Sequence, residues 1–154
     1  MRSLITGVDR EGRSCLLEEA EVAPVAVGGH GVSVARVYAT TESPPAPRPP
    51  GLGETVDVRL EPGLLRWMAV EHRPYEEVTR NGSVTSTTMH HSDALDLVFV
   101  QEGTAELVLQ DGAHAVAAGD FVVTPGVDHA WRAGPEGCRF VVVSVGMPPP
   151  AVTA

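Results

Sequence analysis

Met89-His-His-Ser-Asp-Ala-Leu-Asp-Leu-Val-Phe-Val-Gln-Glu-Gly103, followed after a hairpin signal by Gly119-Asp-Phe-Val-Val-Thr-Pro-Gly-Val-Asp-His-Ala-Trp131, decides the reading of this chain. Both segments are rich in Val and Phe and are closed by Gly, Pro and Asp, the pattern of short strands between turns. Along a strand alternate side chains share a face. His90 and Ser92 therefore point one way and His91 the other. Asp96, Val98 and Val100 form a second set, and His129 and Trp131 a third. If the faces bearing His90, Asp96 and His129 turn inward together, two imidazoles and a carboxylate meet in one interior. That combination suits metal binding or acid–base work.

Outward from this unit the strand reading continues. Asp111-Gly112, between Ala105–Gln110 and His114–Val116, is a two-residue hairpin signal. Phe121–Thr124 and Arg139–Val145 read as strands, as do Ser14–Glu18, Gly31–Thr41 and Gly63–His72. On the last of these Met68, Val70 and His72 share a face. Val84–Ser92 reads as a strand leading into the histidine pair, and Asn81-Gly82 as a turn. The five prolines in Ser43–Gly51 exclude a helix or a central strand and mark a loop. No helical period stands out. Short strands at regular spacing predict an antiparallel barrel or sandwich.

The chain has 154 residues, which suits one domain. Its expected organisation is an N-terminal strand extension with the proline loop (1–62), the barrel (63–146) and a frayed tail (147–154). The net charge of −9 argues against nucleic-acid or anionic-membrane partners, and an anionic substrate needs a local cation or a metal. Cys15 and Cys138 match no metal spacing and read as reduced thiols. There is no leader-like segment and no apolar run long enough to cross a bilayer, so the expected location is cytoplasmic.

The two motifs resemble those of the cupin superfamily. In the first, G-x5-H-x-H-x3,4-E-x6-G, His90 fills the first His position, Ser92 stands at the second, Asp96 replaces Glu, and Gly103 follows at the right distance. In the second, G-x5-P-x-G-x2-H-x3-N, Gly119-Asp120 opens the motif, Gly126 and His129 close it one residue short, and Ala133 replaces Asn. The glycine six residues before His90 is absent. The closer resemblance is to small single-barrel bacterial cupins, some of which serve polyketide and other specialised pathways. It implies an all-β, antiparallel jelly-roll barrel with an N-terminal strand extension.

On this reading His90, Asp96 and His129 are the catalytic residues and the ligands of a divalent transition metal, with zinc, iron and manganese as candidates. His72, Ser92, Val98, Trp131 and Met68 line the substrate pocket. With Ser92 in a His position, His72 is geometrically allowed as a further ligand, and a bulge would exchange the roles of His90 and His91. Otherwise His91 faces the surface. His114 is expected in solvent, His30 in a loop and Glu102 at an exposed turn. Asp120 is expected to stabilise a turn. Arg66, Arg132 and Arg139 are candidates for binding a carboxylate substrate, with a solvated face the preferred reading for each. The expected activity is that of a metal-assisted lyase, cyclase, dehydratase or decarboxylase on a small molecule. The alternatives are a ferrous-iron dioxygenase on the same residues and a non-catalytic ligand-binding barrel. Open strand edges in the N-terminal extension predict a homodimer.

Overall fold

The computed structural model describes residues 1–27, 32–43, 45, 47, 60–80 and 89–148. His30, the Asn81-Gly82 turn, most of the proline run and most of the strand expected from Val84 lie outside them. The described elements are β1 (Arg2–Val8), β2 (Ser14–Glu21), β3 (Val25–Val27), β4 (Val32–Val34), β5 (Leu65–His72), α1 (Tyr75–Arg80), β6 (Ala94–Leu109), β7 (Gly112–Ala117), β8 (Phe121–Pro125) and β9 (Ala130–Gly146). One seven-stranded sheet runs β2-β1-β8-β6-β9-β5, with β7 paired to β6. The expected all-β jelly-roll architecture is the observed one.

The long strands β6 and β9 organise the sheet. They pair along nearly their whole length, while β6 pairs on its other edge first with β8 and then with β7. Bulges between Val100 and Glu102 and between Gly103 and Ala105 interrupt the β6–β9 ladder at the changeover. Such bulges increase local twist and help a sheet curl. Gly103 and Gly137 face each other there with φ of 76° and 75°. A Cβ on Gly103 would lie 2.2 Å from the Gly137 carbonyl oxygen, so the crossing admits only glycine. The concave face collects Leu4, Val100, Leu107, Val122, Trp131 and Phe140 among other core residues.

Several elements differ from the sequence reading. β1 was not expected as a strand. It is flanked by β2 and β8 and buried at Ser3, Leu4, Thr6 and Gly7, so its residues do not alternate. Strands covered on both sides lose the period-2 signal. Its pairing with β8 is parallel, an exception to the antiparallel rule. The N-terminal extension is thus hydrogen-bonded into the main sheet through β1. The strand expected over Gly31–Thr41 contracts to Val32–Val34, which pairs with β3 in a separate two-stranded sheet. A six-residue helix, α1, stands where only a turn was read. It begins just after Pro74, with Glu76 and Glu77 in its first turn and Arg80 in its last, an arrangement favourable to the helix dipole. One turn and a half is too short for periodicity to reveal. No helix among the described residues is long and apolar enough to cross a membrane.

Candidate functional site

β5 alternates strictly. Leu65, Trp67, Ala69 and Glu71 face out, and Arg66, Met68, Val70 and His72 face in. With β6, β8 and β9 it encloses a cavity of about 410 Å³ lined by these inward residues and by His90, Ser92, Asp96, Val98, Thr124, His129, Trp131, Phe140, Val142 and Ser144. That volume suits a small organic molecule. Two larger hollows lie elsewhere, beside Arg2, Tyr75 and Arg132 and beneath residues 34–38, and no imidazole lines either among the described residues.

The structure brings His90 and His129 together by a backbone bridge. His90 N donates to His129 O at 2.9 Å and His129 N to His90 O at 2.7 Å. Their ring centroids are 4.6 Å apart. His129 Nδ1 lies 2.8 Å from the Val127 carbonyl oxygen. That oxygen only accepts, so Nδ1 carries the proton and Nε2 keeps its lone pair. Burial drives the His129 pKa down to about 4, helped by the nearby His90, so the ring is neutral at pH 7. The wall continues through Trp131, edge-on to His129, to Phe140 and His72. Burial, with His90 again contributing, lowers the pKa of His72.

Asp96 stands on the same wall, partly buried and held by two serines. Ser144 Oγ donates to Oδ1 at 2.5 Å and Ser92 Oγ to Oδ2 at 3.0 Å. Burial lifts its pKa above the ordinary value, against the opposing pull of Ser144, Ser92, His90 and Arg66. A carboxyl raised in this way is suited to proton transfer nearer neutrality. Ser92, in a motif position usually held by His, thus orients Asp96.

The donor types suit a divalent ion, and His90 and His129, with ring centroids 4.6 Å apart, are the residues that could hold one. The three-donor arrangement is a different matter. No three His, Cys, Asp or Glu side chains among the described residues converge as metal donors, and the Asp96 oxygens are engaged by serines.

His91 is not at the surface. It is 2% exposed and pairs with Asp128, which is fully buried. The reason is local: the backbone bridge that turns His90 and His129 into the pocket turns their neighbours together on the other side. Arg66 also departs from its expected solvated face by lining the cavity. Arg132 and Arg139 do lie outside, against Glu106 and against Glu71 and Glu102. His114 is half-buried against Asp111. Asp120 accepts from the Ala117 amide and from Arg2, holding the β7–β8 turn. Sequence reasoning missed Thr124 and Ser144, and it weighed Arg66 as a carboxylate binder but preferred a solvated face. The alternation that selected Met68 and His72 also includes Arg66, and Thr124 and Ser144 are polar breaks in valine runs.

Residues 75–144 match the Cupin domain family. The chain is also similar to the 5-nitrosalicylic acid 1,2-dioxygenase of a Bradyrhizobium species. The two are 34% identical over 84 residues, which are 54% of this chain and 36% of that protein. The aligned stretch therefore spans little more than a third of the relative's length.

Proposed function

We propose that this protein is a small-molecule enzyme whose working site is the cavity walled by His90, Asp96 and His129. The reaction is one of proton transfer at a bound organic substrate, of the lyase or cyclase type. The observation that carries the reading is the Asp96 carboxyl, set in the cavity wall with the neutral His129 imidazole and held on both oxygens by serine hydroxyls. Asp96 exchanges a proton with the substrate. Without a metal, His129 Nε2 accepts a second hydrogen bond or proton; with one bound, that same lone pair ligates it. Trp131, Phe140 and Met68 shield the apolar part of the molecule from water.

The proposal includes a divalent transition metal, zinc, iron or manganese, with His90 and His129 as its protein ligands. Bound there, such an ion supplies Lewis acidity for a carbonyl, or activates water or dioxygen. A second reading, oxygen-dependent cleavage, is favoured by the named activity of the Bradyrhizobium relative.

Natively purified protein is analysed by elemental mass spectrometry and then incubated in air with small organic acids. A metal lost in the His90→Ala, His129→Ala double variant supports these ligands. A product of unchanged mass, or one lacking water or carbon dioxide, supports the leading reading. Uptake of dioxygen supports the second. Ligand recovered unchanged supports a binding module and contradicts both.

The proposal also takes the protein to be a cytoplasmic homodimer. Cys15 and Cys138 are free thiols. β5 is an edge strand that exposes Leu65 and Trp67, and among the described strands β3 and β4 pair only with each other. An isolated two-stranded sheet is marginal in water, and open apolar edges invite pairing.

A further inference from the structure

The cavity wall is polar along one row. Its four strands are neighbours, and their register sets Arg66 beside Ser144, Ser144 beside Asp96, and Asp96 beside Thr124. One step along the strands the inward row is Met68, Val142, Val98 and Val122, and the next is Val70, Phe140 and Val100. At a strand spacing of about 4.8 Å the polar row is long enough to receive two functional groups of one small molecule.

Two side chains of this row make no hydrogen bond or ion pair with the described residues. Thr124 is 1% exposed, and its Oγ1 is buried with no hydrogen-bond partner among the described residues. A buried hydroxyl in that state carries a desolvation cost of the kind that native structures rarely leave uncompensated. Arg2, Arg13, Arg73, Arg132 and Arg139 are each paired with a carboxylate. Arg66 belongs to none of these pairs, though its charge is felt by Asp96. Its planar fork of N–H donors matches a carboxylate. In a chain of net charge −9 it is also the local cation that an anionic substrate requires.

We propose that Arg66 anchors the carboxylate of a small hydroxy acid. The acid's hydroxyl lies between Asp96 and Thr124, and its apolar body rests on Met68, Val98 and Trp131. Asp96 accepts from that hydroxyl, for an ionised carboxylate has about four acceptor positions and the two serines occupy two. Thr124 Oγ1 donates to the same oxygen. This assignment rests on the cavity being the working site and names the class of substrate it takes.

Benzoate, salicylate and mandelate, each paired with its neutral amide, are titrated into the full-length protein by calorimetry. At least one acid binds more tightly than its amide by on the order of tenfold to a hundredfold, the scale of a charge-assisted hydrogen bond. Arg66→Gln abolishes the difference and Arg66→Lys restores part of it. Thr124→Val weakens the hydroxy acids and spares benzoate. Circular dichroism melts show that each variant is folded. If no acid is preferred to its amide, or if Arg66→Gln keeps the preference, the anchor is overturned. An Arg66-dependent preference without any turnover leaves the anchor standing and removes the catalytic reading. Turnover of these acids at an unchanged KM in Arg66→Gln does the reverse.

Discussion

His91 Nδ1 lies 3.1 Å from Asp128 Oδ1, with both side chains closed off from solvent. The pair sits directly behind the His90–His129 bridge, one residue along each strand. It fastens together the two chain segments that carry the pocket imidazoles, which enter the fold from motifs about forty residues apart. A buried polar pair of this kind fixes one arrangement of its strands because any slip leaves both groups without this partner.

Asp128→Ala is accordingly expected to destabilise the fold by about 1–3 kcal/mol, the cost of leaving a buried donor or acceptor without its partner. For a chain of this length that corresponds to a fall in Tm of several degrees. Urea denaturation of Asp128→Ala, His91→Ala and the double variant gives the coupling between them. A coupling indistinguishable from zero would show that the pair does not fasten the bridge.

Two groups in the cavity set opposing slopes of stability with pH. His129 has a folded pKa of about 4 against 6.5 in the unfolded chain. Its contribution is present above pH 6.5 and is lost as pH falls towards 4, by at most about 3 kcal/mol at about 1.4 kcal/mol per unit. The raised pKa of Asp96 acts in the other direction: stability is lost as pH rises above the ordinary aspartate range of about 4. Denaturant unfolding across this range should show a flatter acid limb in His129→Gln and less loss on raising pH in Asp96→Asn. Parallel curves for parent and variants would contradict the burial assigned to both groups.

The outer face of β5 carries Trp67 at 75% exposure and Leu65 at 65%. Exposed apolar groups on an edge strand mark an association surface. Light scattering should give about twice the chain mass of 16.2 kDa, and Trp67→Glu should reduce it to the single-chain value. A full-length monomer at micromolar concentration would remove the dimer from this account.

Much of this fold was legible because its strands have one wet and one dry face. The alternation over Leu65–His72 placed Met68, Val70 and His72 on one side, and the structure has them there with Arg66. Asp111-Gly112 marked the β6–β7 hairpin where it occurs. β1 was illegible for the opposite reason, having neighbours on both edges and burial on both faces. The separation of His90 from His91 followed from period two. That His91 is buried could not follow, because its partner, Asp128, is brought to it only by the antiparallel bridge. The role of Ser92 was hidden likewise, since its hydroxyl acts on Asp96 four residues away on the next stretch of chain.

The central claim, that the cavity is a site of proton transfer and not merely a walled hollow, is tested most directly by one substitution. Asp96→Asn keeps the shape and most hydrogen-bonding capacity of the side chain but cannot transfer a proton. The comparison is its turnover of an acid that the parent converts, measured by mass spectrometry beside Asp120→Asn. Asp96→Asn should fold with a Tm within a few degrees of the parent, roughly 1 kcal/mol, and lose most of its activity. Asp120→Asn should lose stability through its Arg2 and Ala117 contacts and keep its activity. Full activity in folded Asp96→Asn would contradict the account.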